Sequence, residues 1–524
     1  MGLYLNPSNE EFERSLRSEI YVDKSGIIAY TNKVIFTQQS YICISRPRRF
    51  GKTMAAEMLT AYYSCGSDSS DIFANLKIAS DPSYKKHLNK YNVIFLNMQD
   101  FLSESPCIED MLKNIKDEII CDILKDYPEI NLNDSKVSLK SILQTLYEIS
   151  GIRIVFIIDE WDCIFREYRD NYKFQEIYLD FLRNILKDKK YVALAYMTGI
   201  LPIKKYGTQS ALNMFDEFSM TDPEQLAEYV GFTENEVMAL CDKYKMNYED
   251  MAEWYDGYSF PDVTIYNPKS VVESLRKKKF KNYWSRTETF EALSIYFNND
   301  YDGVKDIIIE LLAGARKCIN ISNFSNDMVT FKSLDDVFTL LIHLGYLGYN
   351  VDTQEVYIPN KEISDEFVTA IRDVKWDEII KSIDSSNKLL KATWNEDAQA
   401  VAEAIEKAHL ETSLIKYNDE TALSYVLSIA YYSARQYYTI EREIPAGKGF
   451  ADLFFRPRRK YIDKPAMIIE LKWDKSAMGA IKQIEDKKYT DILKEYKENA
   501  LIIGINYDKN SKKHECIIRR YNDI

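Results

Sequence analysis

Over the first 220 residues, short β-rich runs alternate with segments of helical periodicity, the pattern of a parallel α/β sheet. The runs Tyr41–Ser45, Asn92–Asn97, Arg153–Ile158 and Val192–Thr198 predict strands. Between them, Ile108–Leu124 and Leu139–Ile149 carry apolar positions at helical spacing. From Asp222 to about Ser385 the pattern turns mostly helical, with a strand-like interruption near Val351–Ile358. Helical segments follow at Ala402–Leu410 and Glu420–Gln436, then strand-like runs at Tyr438–Ile444, Ala451–Phe455 and Ala466–Lys472. A helix at Ala477–Tyr496 and a last strand at Ala500–Ile505 complete a second α/β unit. The expected organisation is an α/β domain over residues 1–220, a helical middle over 221–385 and a C-terminal α/β domain over 386–524.

A chain of 524 residues exceeds what one hydrophobic core serves, which agrees with several domains. Its 46% hydrophobic and 28% charged residues describe an ordinary globular protein, and no stretch approaches the ~20 apolar residues of a membrane-spanning helix. The start, Met1-Gly2-Leu3-Tyr4-Leu5-Asn6-Pro7, has neither the pattern of a signal peptide nor a myristoylation site. Eight cysteines fall singly and read as reduced residues of a cytoplasmic protein. The four histidines lie far apart, so metal chemistry is expected from carboxylates and phosphates, which suit Mg²⁺. A net charge of −13 argues against a surface that coats nucleic acid, but not against a local basic strip. Two runs stand out, Arg276–Lys279 and Arg456–Lys460, each read alone more often as a solvated turn than as a nucleic-acid contact.

The strand Tyr41–Ser45 leads into Arg46-Pro47-Arg48-Arg49-Phe50-Gly51-Lys52-Thr53 and then a helix. That is the setting of a phosphate-binding loop: amides at the helix start face the phosphates, Lys52 reaches the β/γ oxygens and the Thr53 hydroxyl ligates Mg²⁺. A second apolar strand ends in Asp159-Glu160, where Asp159 is placed to hold Mg²⁺ through water and Glu160 to polarise the attacking water. Either piece alone is weak; in this order and spacing they support each other. The third strand ends in Thr198-Gly199, a γ-phosphate sensor or a plain turn. The guanine-reading Asn-Lys-x-Asp is absent, so ATP is the expected nucleotide.

Near the C-terminus, Ala451-Asp452-Leu453 precedes Ile468-Ile469-Glu470-Leu471-Lys472. A hairpin of these strands brings Asp452, Glu470 and Lys472 to one end of a sheet, Glu470 and Lys472 on the same face. Two carboxylates suit Mg²⁺ and the lysine suits the handling of a water proton. The competing reading is a salt-bridged pair on a strand.

The chain resembles a family of bacterial AAA-ATPase-like proteins that carry a C-terminal PD-(D/E)XK-type nuclease domain. The resemblance rests on Phe12, Tyr21-Val22-Asp23-Lys24, Arg46 to Thr53, Ile158-Asp159-Glu160-Trp161-Asp162, Thr198-Gly199-Ile200, Trp254-Tyr255-Asp256-Gly257-Tyr258 and Tyr266-Asn267-Pro268. It implies a P-loop NTPase core, a helical middle region and a restriction-endonuclease-like α/β domain. It assigns the loop from Arg46 to Thr53 together with Asp159 to the nucleotide, Thr53, Asp159, Asp452 and Glu470 to metal, and Glu160, Glu470 and Lys472 to catalysis. Glu420, Gln483 and Tyr489 are similar to flanking nuclease positions, and Arg456–Lys460 becomes a DNA-backbone contact. The family commonly has tyrosine at the position of Trp161 and arginine before the first metal acid, where this chain has Phe450-Ala451. The function implied is ATP hydrolysis coupled to Mg²⁺-dependent DNA cleavage. The alternative is a nucleotide-dependent switch whose C-terminal domain binds nucleic acid or protein without cutting.

Overall fold

The apolar runs of the N-terminal portion become the strands of one parallel sheet. They are β1 (Tyr41–Ser45), β2 (Asn92–Asn97), β3 (Ile154–Asp159), β4 (Val192–Gly199) and β5 (Asp216–Phe218), in the spatial order β2-β3-β4-β1-β5. Every residue of β3 and β4 is buried, which is why their sequences run apolar rather than alternating. The computed structural model describes residues 2–130, 138–203, 212–284, 303–324, 333–373, 376–411, 420–446, 449–487, 489–496 and 499–521. It divides into two units, Met1–Thr289 with Cys318–Asp365, and Phe290–Lys317 with Glu366–Ile524.

In the first unit, helix Lys52–Tyr63 follows β1, helices Ile108–Asp126 and Leu139–Ser150 join β2 to β3, and helix Tyr172–Leu186 joins β3 to β4. Parallel neighbours require such crossovers. The chain then builds a smaller helical part. Thr233 starts helix Glu234–Tyr244 with a capping box closed by Glu236. Asn267 caps helix Pro268–Lys277, with proline at the position where a missing N–H costs nothing. Val237, Val271 and Leu275 from these helices share one apolar cluster with Met251 and Tyr255 of helix Tyr248–Tyr255. The strand-like interruption of the middle region is a hairpin, Gly348–Asn350 with Glu355–Tyr357, whose turn takes Val351. A further short sheet, Phe232–Thr233, Thr264–Tyr266 and Tyr258–Ser259, has strands too brief to leave a period in the sequence.

The second unit contains a five-stranded mixed sheet in sequence order: Tyr438–Ala446, Gly449–Pro457, Ala466–Trp473, Ala500–Asp508 and Lys513–Arg520. Its third and fourth strands are parallel and the other neighbours antiparallel. The parallel step is bridged by helix Ala477–Asp486 and a 3₁₀ helix, Tyr489–Tyr496, rather than by one continuous helix. The strand Lys513–Arg520 lies beyond the expected last strand; its charged, largely unburied positions hide it. All eight cysteines are free, and among the described residues no helix is long and apolar enough to cross a membrane.

Candidate functional site

At the carboxyl ends of β1 and β3, Gly51 precedes helix Lys52–Tyr63 with φ of 94°, a left-handed conformation that favours glycine. Arg49 (φ 72°) and Glu160 (φ 52°) hold the same region without that freedom, each at a conformational cost. A side chain at position 51 would meet no atom within 4 Å, so the space over the loop is open. It belongs to a cleft of about 970 Å³ lined by Arg48, Arg49, Phe50, Gly51, Lys52 and Thr53, with Glu160 and Arg166 opposite. Ile20–Val22, Phe232 and Val272 supply apolar surface to the same cleft, and Pro268 and Lys269 bring the start of a helix to it.

Thr53 Oγ1 donates to Asp159 Oδ2 at 2.6 Å, so the hydroxyl and the acid assigned to one metal are already neighbours. Burial pushes the Asp159 carboxyl up to about 6, a penalty that a bound cation relieves. Lys52 Nζ donates to the Pro47 carbonyl at 3.1 Å. Burial lowers the Lys52 ammonium, with Glu160 and Asp159 pulling it back up. Glu160 Oε2 accepts from Arg166 Nη2 at 2.5 Å. A hydroxyl, a strand-end carboxylate and an ammonium beside an open helix start fit a magnesium-bound nucleotide phosphate.

Two loop residues assigned to the nucleotide turn their side chains elsewhere. Arg46 is fully buried and does not line the cleft; its Nη1 donates to the carbonyls of Ser45 and Phe218, both at 2.9 Å, and its guanidinium sits 5.7 Å from the Phe260 ring. The side chain that replaces the first loop glycine is therefore directed into the core rather than at phosphate. Pro47 likewise contributes its carbonyl to Lys52, and its ring occupies the space beside Gly345. Thr198 is buried with no hydrogen bond on its hydroxyl. Gly199 is required by close approach: a Cβ there would lie 2.5 Å from Asp162 Oδ1 and 2.7 Å from Trp161.

The remaining motif residues hold the unit together. The Phe12 ring lies 5.2 Å from Phe73, Asp23 accepts from Ser25 and Lys77 amides, and Lys24 pairs with Glu236. Tyr258 stacks edge-on against Phe50 at 5.3 Å and donates to the Gly345 carbonyl. Sequence reasoning missed Arg166, in the short helix Cys163–Glu167 after β3, which reaches Glu160, and Gln99, in the helix after β2, which accepts from Arg166; no spacing rule links them to Glu160.

In the second unit, Leu453 pairs with Ile469, which sets Asp452 across from Glu470. Asp452 Oδ2 accepts from the Leu471 amide at 2.7 Å. Lys472 Nζ donates to Glu470 Oε1 at 3.1 Å, and Gln483 Nε2 donates to the same oxygen. Tyr489 Oη lies 3.4 Å from Gln483 Nε2. Glu470 is 1% exposed and its Oε2 has no hydrogen-bond partner. Burial, with Asp452 adding to it, pushes the Glu470 carboxyl up to about 7. A buried acceptor left over beside a second carboxylate fits a cation that keeps its own waters. Among the described residues no group of three or more His, Cys, Asp or Glu gathers as a closed metal site. The Glu420 side chain lies outside the described residues.

The basic runs are largely spent within the fold. Arg456 pairs with Glu441 at 2.8 Å and Arg458 donates to the carbonyls of Arg435 and Tyr438. Arg276 pairs with Glu19 at 3.0 Å, and Lys277 with Glu273 at 2.5 Å.

The parallel sheet and strand–loop–helix of the first unit define a P-loop NTPase-type fold. Residues 10–208 match the family model described as a predicted AAA-ATPase, and residues 423–516 match that of the PD-(D/E)XK nuclease superfamily. The chain thus joins an AAA-ATPase-like domain to a PD-(D/E)XK nuclease-like domain. A protein of Azotobacter chroococcum mcd 1, described as an uncharacterized protein in the vnfD 5′ region, is 24% identical over 283 residues. The match covers 51% of this chain and 51% of that protein, so the chain spans about half the length of this curated relative. The ORC2 protein of Aeropyrum pernix, solved as ADPNP–ADP complexes, aligns at 12% identity over 69% of this chain and 97% of its own, with a TM-score of 0.31.

Proposed function

We propose that the chain binds and hydrolyses ATP and couples the nucleotide state to magnesium-dependent cleavage of DNA. In this reading residues 1–220 form the ATPase part, 221–385 a helical lid and linking part, and 386–524 the nuclease part. The observation that carries the ATPase is the bond from Thr53 to Asp159 in a cleft that also takes Lys52 and Glu160. Lys52 meets the β/γ phosphate charge, Thr53 and Asp159 hold the cation, and Glu160 accepts the proton of the attacking water. Magnesium, when bound, neutralises phosphate oxygens and polarises water.

At the second site Asp452 and Glu470 supply the carboxylates, Gln483 orients Glu470, and Lys472 handles the water proton. The internal pairing of Arg456 and Arg458 favours a second reading, in which this domain binds without cutting. Purified protein with plasmid DNA, ATP and Mg²⁺ or Mn²⁺, followed for phosphate release and strand cuts, tests both. Cleavage that disappears in Asp452→Ala supports the nuclease; ATP turnover with intact plasmid supports the switch. No turnover and no cuts removes the proposal.

A further inference from the structure

Glu160 does not stand alone at the end of β3. Its Oε2 is held by Arg166 Nη2 at 2.5 Å, and Arg166 Nε lies 3.2 Å from Asp162 Oδ2. The same Nη2 reaches Gln99 Oε1 at 3.3 Å, from the end of β2. Asp162 is fully buried and accepts from the amides of Ile200 at 3.1 Å and Leu201 at 2.9 Å, in the loop that leaves β4. One guanidinium therefore ties together the ends of β2, β3 and β4 at the cleft wall. Arg166 is 9% exposed, yet it lines the cleft together with Glu160, Gln99, Lys52 and Thr53.

We propose that Arg166 is a positioning residue for ATP hydrolysis: it fixes the Glu160 carboxylate by one oxygen so that the other meets the attacking water. The inference rests on Glu160 being the water-activating group. Three features of the chain support it. Glu160 has left-handed backbone geometry, so its side chain direction is not set by the strand and needs an external anchor. The anchor must be planar and charged to engage two acids at once, which a guanidinium does and an ammonium does poorly. Asp162, for its part, is committed to two backbone amides and the arginine, so it serves as the fixed post rather than as a second base. Binding of the nucleotide itself is left to the loop and Lys52.

The inference predicts a split between turnover and binding. Misplacing a catalytic group by about 1 Å costs roughly 10²-fold in rate. Arg166→Ala is expected to lower kcat by about that factor while KM and the affinity for a fluorescent ATP analogue change little. Arg166→Lys, which retains charge but can hold only one acid well, is expected to recover part of the loss. In the Glu160→Gln background, adding Arg166→Ala is expected to slow turnover no further, because the arginine acts through the carboxylate. Analogue binding and thermal melting certify that each variant is folded; if Arg166→Ala does not fold, Arg166→Lys and Arg166→Gln carry the same comparison. If Glu160→Gln alone leaves turnover unchanged, the assignment of the base fails. If Glu160→Gln abolishes turnover while the folded arginine variants keep or exceed the parent rate, the base stands and the positioning role is overturned. Additive losses in the double variant overturn it as well.

Discussion

Thr53 Oγ1 and Asp159 Oδ2 are joined by a 2.6 Å hydrogen bond across 106 positions of sequence. The bond links the first turn of the helix after β1 to the last residue of β3, although β4 lies between these strands in the sheet. Removing the hydroxyl leaves Asp159 buried without that donor, and a hydrogen bond to a charged group is worth ~1.5–3 kcal/mol. Thr53→Ala should therefore bind ATP far less tightly with Mg²⁺ present, and change little with EDTA; Thr53→Ser should behave as the parent. Titration of a fluorescent analogue with and without the metal decides it, and equal magnesium dependence in the alanine variant would count against the site.

Lys52 is buried, with Asp159 and Glu160 the nearest sources of opposing charge. Its ammonium meets phosphate only by leaving the Pro47 carbonyl, a neutral partner readily exchanged. Lys52→Ala should weaken ATP binding and abolish phosphate release. Normal turnover in a folded Lys52→Ala protein would remove the nucleotide site.

Arg46 separates structure from binding. Its two bonds go to the carbonyls of Ser45, at the end of β1, and Phe218, at the end of the neighbouring β5, and it does not line the cleft. Arg46→Ala should lower stability by roughly 2–4 kcal/mol, the scale of emptying a buried charged hydrogen-bonding position. ATP affinity measured well below the melting temperature should stay near that of the parent. A loss of affinity without a fall in melting temperature would restore Arg46 to the phosphate site.

How much of this was legible in sequence depends on range. β1 and β2 were readable to the residue because buried parallel strands write unbroken apolar runs, and β3 and β4 to within one residue for the same reason. That Thr53 and Asp159 would meet at one end of the sheet was readable because a strand–loop–helix and a strand-end acid are local patterns. The core-facing direction of the Arg46 side chain was not readable, because its local setting matches a phosphate loop while its partner, the Phe218 carbonyl, lies 172 positions away. Arg166 was invisible because its link to Glu160 runs through a left-handed residue that no period describes. The strand Lys513–Arg520 was lost for the opposite reason: an edge strand with few buried side chains carries no alternation.

His409 Nδ1 and His514 Nε2 lie 3.1 Å apart, packed against Tyr507. Burial holds His409 down to about 4; burial, with His409 adding to it, holds His514 down to about 3. Unfolded, both take up protons near 6.5, so their neutral forms stabilise the fold fully above that pH, and the contribution is lost as pH falls toward about 4 and 3. Glu470, raised to about 7, protonates in the fold before its unfolded value of 4.5 and offsets part of the loss between those limits. Below pH 4.5 that offset ends, and the pair adds its slope to those of Glu273, held down to about 2 by Lys277 and Lys269, and of His343, held down to about 3 by burial. His514→Gln should flatten the fall in melting temperature there, and an unchanged slope would mean that the pair does not titrate as described.

The carboxylates of the second unit give the sharpest division of roles. Glu470 Oε1 is occupied by Lys472 and Gln483, whereas Oε2 is buried without a partner. Asp452, across the strand pair, accepts from the Leu471 amide through Oδ2. A shared cation therefore has one unused oxygen on Glu470 to bind, and removing either carboxylate weakens the hold on an ion that already keeps several waters. Asp452→Ala and Glu470→Ala should each lower affinity for Mn²⁺, used as a probe, and abolish nicking. Lys472→Ala should also abolish nicking yet retain the metal, since it removes the group that handles the water proton and leaves both acids in place. Gln483→Ala should fall between them, freeing Glu470 to move without removing it. ATP turnover should survive in all four, because these residues belong to a different unit from Lys52, Thr53 and Glu160. Calorimetric titration with Mn²⁺, run beside a plasmid-nicking assay, reads both quantities. Metal affinity that falls in Lys472→Ala as far as in Asp452→Ala would mean that the lysine holds the site together instead of serving its chemistry.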